Sequence, residues 1–355
     1  MDRFAFVIHP LTARDVARKY GLMRLLPDRA VEAIISRMSP KYVSTITGIR
    51  SKQGVEIEGM LVGCPLTSRQ LIEGDPEKVL QRIIETCRLA EARGAQIVGL
   101  GAFTSVVGDA GISIARALNI PVTTGNSYTV ATALQALMHA AQLMGIDPKQ
   151  ATAGVLGAAG SIGRVCSQYL STRVRELVLI GLDTDPLEDV ARSFGEGACP
   201  TTISRDSHAA LPECDLVVSV TSAVDTVVEP EDLKRGAVVC DVARPRDISR
   251  RVAQERDDVL VIEGGVVRVP GENVDFHFDF GFPPGTAYAC MAETMILTME
   301  RRFECYSLGR QLSLDKALEI AALAEKHGFE LAGFRSFERP ISEEQIARIR
   351  HNAGR

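Results

Sequence analysis

The chain lacks the cysteine pairing that marks a zinc site or a disulfide framework. Its eight cysteines (Cys64, Cys87, Cys166, Cys199, Cys214, Cys240, Cys290 and Cys305) are scattered and none forms a CxxC pair, so no metal centre is expected. It also lacks an excess of positive charge. Lys and Arg total 40 against 45 Asp and Glu, a formal net charge of -5, which argues against general nucleic-acid binding. The local basic groups at Arg244, Arg246, Arg250 and Arg251, and at Arg301 and Arg302, read first as solvated helix surface and second as a dock for an acidic carrier or a phosphate. No apolar run approaches membrane-spanning length, and Met1-Asp2-Arg3-Phe4-Ala5-Phe6 has no signal-peptide pattern, so no stable membrane insertion is expected. Scattered free thiols then fit a reducing cytoplasm. There are no repeats and no low-complexity segments. What remains is globular composition, 46% hydrophobic and 24% charged over 355 residues, enough for two domains and a large core.

The pattern along the chain predicts an α/β fold in three parts. Residues 1–148 mix strands (Phe4–Ile8, Tyr42–Ile49, Val55–Val62, Gln96–Leu100) with helices, of which Pro76–Arg93 is the most periodic, with Val79, Ile83, Cys87 and Ala90 on one face. Further helices are expected over Leu11–Tyr20, Asp28–Met38, Asp109–Leu118 and about Thr129–Met144. Residues 149–285 alternate strand and helix regularly: Ala151–Leu156, Ser161–Leu170, Glu176–Leu182, Leu187–Phe194, then short strands at Leu216–Val220, Ala237–Asp241 and Val259–Ile262. That alternation implies a doubly wound parallel sheet. Residues 286–355 read as mostly helical, opening after Pro283-Pro284-Gly285.

The second part carries the strongest motif, Gly157-Ala158-Ala159-Gly160-Ser161-Ile162-Gly163, between a strand and a helix. Glycine there permits a tight turn, close approach of backbone N–H groups to a pyrophosphate, and close packing of helix on strand. The helix dipole then meets the phosphate charge. The spacing is GxxGxxG, with Ala158 in place of a glycine, yet the strand-turn-helix setting is the required one. Asp183 falls twenty residues past Gly163 at the end of the next strand, where an acid binds an adenosine ribose. Thr221, Ser222 and Gly265 follow later strands and are expected near the nicotinamide half of a dinucleotide. Asp241 reads equally as a ligand or as a turn-capping acid.

Outside this segment, Gly285-Thr286-Ala287-Tyr288-Ala289-Cys290 opens a helix, with Thr286 as the expected N-cap. Cys290 then lies in the opening turns, where the dipole favours a thiolate able to attack a thioester or aldehyde. By residue type alone a buried inert cysteine is the commoner case. Cys64, before Pro65, is a second candidate, while Cys166 and Cys240 look like core.

At these residues the sequence resembles the long-chain acyl-[acyl-carrier-protein] reductase family of cyanobacteria and its bacterial relatives, from about Gly48 to Phe329. The resemblance rests on Gly99-Leu100-Gly101-Ala102-Phe103-Thr104-Ser105, Thr123-Thr124-Gly125-Asn126-Ser127, the glycine motif, and Ala289-Cys290-Met291-Ala292-Glu293 in that order, with Lys326-His327-Gly328-Phe329 in support. It implies reduction of a fatty acyl thioester to a fatty aldehyde by NAD(P)H, with Cys290 as nucleophile and acyl carrier protein or acyl-CoA as donor. It also implies an aldehyde-consuming enzyme downstream. Backbone N–H groups beside Cys290, or Ser105, Thr124 and Asn126, are the candidate oxyanion or positioning donors. The resemblance implies NADPH, but Asp183 and Asp185 would repel a 2′-phosphate and favour NADH. The family has His in the stretch matching Gly125–Thr129, where this chain has Tyr128. The site is expected in a cleft between domains. Two rivals stand beside this reading. One is an amino-acid or shikimate-like hydroxy-acid dehydrogenase, which needs no thiol but needs a Lys, Asp or His beside the substrate. The other is a dinucleotide-sensing protein without turnover.

Overall fold

Two unbroken buried strings mark the centres of two sheets. Phe4-Ala5-Phe6-Val7 is buried throughout, and so is Thr152-Ala153-Gly154-Val155-Leu156. A strand buried on both faces belongs inside a parallel sheet covered on each side. The structure is a computed structural model describing residues 1–355 apart from Tyr20, Val224, Asp225, Arg244, Pro245 and Glu338. The expected end of the first helix at Tyr20, and Arg244 of the basic group, lie outside the described residues. The chain divides into two units. One comprises Met1–Asn126, Arg268–Gln311 and Ala322–Glu330; the other comprises Ser127–Val267, Leu312–Ala321 and Leu331–Arg355. The divisions read from sequence at 148 and 285 thus move to Asn126 and Val267, and the C-terminal segment is shared. The reason for the first shift is the helix Asn126–Leu143, whose Val130, Leu134, Leu137 and Ala141 share a core with Val155 and Cys166.

The first unit is built on a five-stranded sheet. Its strands are β1 Asp2–Ile8, β2 Lys41–Arg50, β3 Glu56–Gly63, β4 Ile97–Leu100 and β5 Val122–Thr123, in the order β2-β3-β1-β4-β5. Only β2, at one edge, is antiparallel to its neighbour. The carboxyl ends of β3, β1, β4 and β5 therefore meet at one rim. Ala5, Val7, Val62 and Val98 pack on the helix Pro76–Ala92 through Val79, Ile83, Cys87 and Ala90, the face read from the sequence. Asp75 caps that helix, accepting from the N–H groups of Glu77 and Lys78 at 3.0 and 3.2 Å. The helix Ala289–Met299 packs on β1, β3 and β4 and is buried on every side from Met291 to Met299. Gly99 admits it: a Cβ there would collide with Thr294 Oγ1 and with the Phe6 ring.

The second unit holds six parallel strands: β6 Thr152–Leu156, β7 Glu176–Ile180, β8 Thr201–Ser204, β9 Leu216–Ser219, β10 Val238–Asp241 and β11 Leu260–Glu263. They run β11-β10-β9-β6-β7-β8, which is the doubly wound 3-2-1-4-5-6 arrangement, reversing direction between β6 and β9. The expected α/β class and doubly wound sheet are observed. Strand β8 escaped the sequence reading because Thr201-Thr202-Ile203-Ser204 is a half-exposed edge without an apolar run. Residues 286–355 are less helical than expected, since Thr286–Tyr288, Glu330–Leu331, Arg335–Ser336 and Arg339–Pro340 are short strands. No helix among the described residues is long and apolar enough to cross a membrane.

Candidate active site

Burial separates the eight free cysteines. Cys64, Cys87, Cys166, Cys214 and Cys240 are buried. Desolvation pushes the Cys64 thiol up to about 11 and those of Cys166 and Cys214 up to about 12, and it raises Cys87 as well. Such thiols stay protonated and inert. Cys64 is thereby a core residue and not a second nucleophile. Cys290 is half-buried and is the second residue of the helix Ala289–Met299. It therefore sits at the positive end of the macrodipole. The helix begins later than the sequence suggested. Its N-cap is Tyr288, which gives no side-chain capping bond, while Thr286 lies in a strand and its hydroxyl donates to Pro283 O at 2.6 Å.

The rim of the first sheet closes around this turn. Gly125, just past β5, has φ +74, and a Cβ built on it would lie 2.3 Å from Cys290 Cα and 2.5 Å from Cys290 Cβ. Only a residue without a side chain fits that approach. One turn further, the fully buried Glu293 carboxylate accepts from the hydroxyls of Thr123 and Ser307, the latter at 2.7 Å. Thr123 Oγ1 in turn accepts from the N–H groups of Ser307 at 3.2 Å and Gly125 at 3.4 Å. This network ties the Cys290 helix to the end of β5. Sequence reasoning noted Glu293 only within a motif and missed its role.

The three candidate donors fare differently. The Ser105 hydroxyl donates to Ala102 O at 2.6 Å, and that of Thr124 donates to Ser307 O. Both are spent on backbone carbonyls. Asn126, next to Gly125, has a buried Nδ2 without a hydrogen-bond partner among the described residues. Buried amide donors are normally satisfied, so this one is notable. His9 follows β1 at the same rim and was not anticipated. Its Nε2 accepts from the Phe103 N–H at 3.3 Å and its Nδ1 donates to Pro10 O at 3.0 Å. Desolvation lowers it to about 4, so it is neutral.

In the second unit the glycine motif forms a tight turn between strand and helix. Gly157 follows β6 with φ +85. Ala158 is buried, and Gly160 N donates to Gly157 O at 3.0 Å. Ser161 opens the helix Ser161–Leu170, whose N-cap Gly160 offers no side chain to occupy the first N–H groups; Ala159 and Ile162 are partly buried against the core beside it. A Cβ on Gly163 would lie 2.2 Å from Gly157 O, so glycine lets the helix seat on the turn. Asp183 is exposed at the N-cap of the helix Thr184–Arg192 and makes no capping bond; Asp185 is exposed in its first turn. Arg205, just past β8, donates from Nε to Leu182 O at 2.8 Å, which holds a cation at the residue before Asp183. Thr221 is held inward: its N–H donates at 3.0 Å to the buried Asp247 carboxylate, and its hydroxyl and that of Ser219 donate to the same group. Ser222 is exposed and Gly265 has φ +83. Asp241 is buried and accepts from the Ala243 N–H at 3.1 Å, which resolves it as a turn-capping acid. The basic side chains near it are paired: Arg246 with Glu263 at 2.6 Å and Arg251 with Glu255 at 2.8 Å.

Three comparisons bear on this geometry. Residues 139–263 match the family model Shikimate / quinate 5-dehydrogenase. Aminotransferase PigE of Serratia sp. is 32% identical over 98% of this chain but 42% of its own length, so the chain spans less than half of that relative. Long-chain acyl-[acyl-carrier-protein] reductase of Synechococcus elongatus is 28% identical over 90% of this chain and 94% of its own length. Among solved structures, a dipicolinate synthase chain from Bacillus halodurans overlaps with a TM-score of 0.37 at 13% identity, over 74% of this chain and 90% of that chain, too loosely to bear on function. The resemblance read from four short stretches thus extends along nine-tenths of the chain, which is similar to the long-chain acyl-[acyl-carrier-protein] reductases throughout and to the shikimate / quinate dehydrogenases in its dinucleotide-type unit.

Proposed function

We propose that the protein is an NAD(P)H-dependent oxidoreductase that reduces a fatty acyl thioester to a fatty aldehyde through an acyl group held on Cys290. The observation that carries this reading is the half-buried thiol at a helix N-terminus, held against Gly125 by the Glu293 network. A hydroxy-acid dehydrogenase has no use for that arrangement.

The Gly157–Gly163 turn, with a helix N-terminus free of side-chain caps, fits a dinucleotide pyrophosphate. Asp183 would take the adenosine ribose. The bound reduced nicotinamide would supply a hydride. The chain's own residues do the rest. The Cys290 thiolate attacks the acyl carbonyl; the carbon–sulfur bond to the carrier breaks and the carrier leaves as a thiol, taking a proton. After reduction the Cys290–carbon bond breaks, releasing the aldehyde and restoring the thiolate. Each step passes through an oxyanion that needs donors. The unpartnered Asn126 Nδ2 and the first-turn N–H groups beside Cys290 are the donors assigned here, in preference to Ser105 and Thr124. Acyl carrier protein or acyl-CoA is the assigned donor partner.

Replacement of Cys290 by Ala tests this. The variant is expected to bind dinucleotide normally and to lose thioester-dependent NAD(P)H oxidation. Full retained turnover would exclude the covalent mechanism and favour the dehydrogenase rival. Dinucleotide binding by the wild type without turnover on any acyl thioester would favour the sensing rival.

A further inference from the structure

The chain has twelve phenylalanines, six tyrosines and no tryptophan, and four of those phenylalanines fall at every second position from 276 to 282. The base of this segment is fixed. Asp275 exchanges backbone hydrogen bonds with Thr47 of β2, at 2.9 and 3.0 Å, and the Ser44 hydroxyl donates to Phe276 O at 2.8 Å. Phe276 itself is buried. Beyond it the rings come out. Phe278 is 39% exposed, and Phe280 and Phe282 are only half-buried. They are not scattered. Phe278 and Phe280 lie 4.7 Å apart by ring centroid, Phe280 lies 6.4 Å from Tyr288, and Phe282 lies 4.7 Å from Tyr288. Tyr288 is the N-cap of the Cys290 helix. A continuous run of part-exposed rings therefore leads to within two residues of the thiol.

An exposed contiguous apolar patch of this kind marks a binding surface. We propose that Phe278, Phe280, Phe282 and Tyr288 form the docking strip for the uncharged aliphatic tail of the acyl substrate. The intervening residues favour the tail over the carrier. Between the rings stand His277, Asp279 and Gly281; Asp275 lies 3.1 Å from His277 Nδ1, and the exposed Asp279 accepts from the Gly281 N–H at 2.7 Å, so the segment offers no Lys or Arg to the phosphate of a phosphopantetheine arm and leaves the tail as the matching part. The strip is a single loop and suits a linear chain. This assignment rests on Cys290 being the acylated residue.

Carrier-free probes separate the two ideas: the butanoyl and dodecanoyl thioesters of N-acetylcysteamine, with acylation of the full chain followed by intact mass. Each methylene that reaches an apolar surface is worth up to about fourfold. The wild type is therefore expected to acylate with dodecanoyl at least about a hundredfold faster than with butanoyl. In the Phe278→Ala, Phe280→Ala double variant that ratio should fall at least tenfold, while the Phe278→Leu, Phe280→Leu pair keeps most of it. Leu25→Ser, an exposed apolar position outside the segment, should keep it all. Binding of dodecanol, measured by calorimetry, should weaken in parallel. An unchanged ratio and unchanged dodecanol binding in the alanine pair overturn the strip while leaving the thioester mechanism intact. A defect seen only with acyl carrier protein as donor also overturns it, in favour of carrier docking. If no acyl adduct forms on any variant but dodecanol binding still depends on the rings, the rings bind an aliphatic chain, and it is the thioester reading, with the acyl-substrate assignment that rests on it, that falls.

Discussion

Gly125→Ala probes how tightly the thiol is held. The substitution adds one methyl group at a residue with φ +74, where an L side chain costs about 1–2 kcal/mol. The new Cβ would meet Cys290 Cα at 2.3 Å and Cys290 O at 2.4 Å, where 3.4 Å is ordinary contact. Both are backbone atoms, so no rotamer change relieves the clash; the two segments must part by roughly 1 Å. Overpacking of that kind costs a further ~1–3 kcal/mol. A total near 2–5 kcal/mol should lower Tm by about 3–7 °C for a chain of this size. The functional effect should be larger in proportion, because a misplacement of about 1 Å at a reacting atom can cost about a hundredfold. Tm, dinucleotide binding and the rate of Cys290 acylation measured together decide the matter. Slowed acylation with retained dinucleotide binding is expected. Wild-type acylation in a folded variant would refute the claim that this approach positions the nucleophile.

Three further outcomes follow from the same geometry. Glu293→Ala leaves the Thr123 and Ser307 hydroxyls without their acceptor and should destabilise by about 1–3 kcal/mol, whereas Glu293→Gln keeps an acceptor oxygen and should recover most of the Tm and the acylation rate; equal damage from both changes would place the effect in charge and not in hydrogen bonding. Arg205→Ala removes the cation held at Leu182, the residue before Asp183, and should raise KM for NADPH about tenfold with little change for NADH, while a parallel rise for both cofactors would show that Arg205 does not read the 2′-phosphate. His9 is held neutral in the fold, with its value at about 4 against the usual 6.5. The unfolded chain therefore binds the extra proton, and stability should fall as pH drops from about 6.5 towards 4, by up to about 3 kcal/mol. Denaturant titrations of wild type and His9→Asn across that range check it, and identical pH slopes would rule His9 out.

What was legible in the sequence is what is written locally. The glycine turn, its flanking strand and helix, and Asp183 just past the next strand all lie within the 32 residues from Thr152 to Asp183, and the elements form close to where the pattern put them. The long apolar runs of β1 and β6 announce central parallel strands for the same reason. The companions of Cys290 were not legible, because Thr123 and Gly125 approach it across more than 160 residues and only the β4–β5 pairing brings them together. Thr286 has the residue type of an N-cap, but strand formation over Thr286–Tyr288 moves the helix start to Ala289. Ser105 and Thr124 have the residue type of oxyanion donors, yet their own turns and Ser307 O consume their hydroxyls. Polarity alone does not reveal whether a donor is already spent. The aromatic alternation from Phe276 to Phe282 went unread, because its meaning depends on which rings stay exposed.

The central claim is that Cys290 carries the acyl group, and the mass of the intact protein tests it most directly. The full chain is mixed with acyl-CoA or acyl-carrier protein of several chain lengths without nicotinamide, and the modified peptide is then mapped. The account predicts one acyl adduct, located on Cys290, which disappears on addition of NADPH or NADH as free aldehyde forms. No adduct at any chain length, or an adduct on another cysteine that turns over equally well in Cys290→Ala, would contradict it.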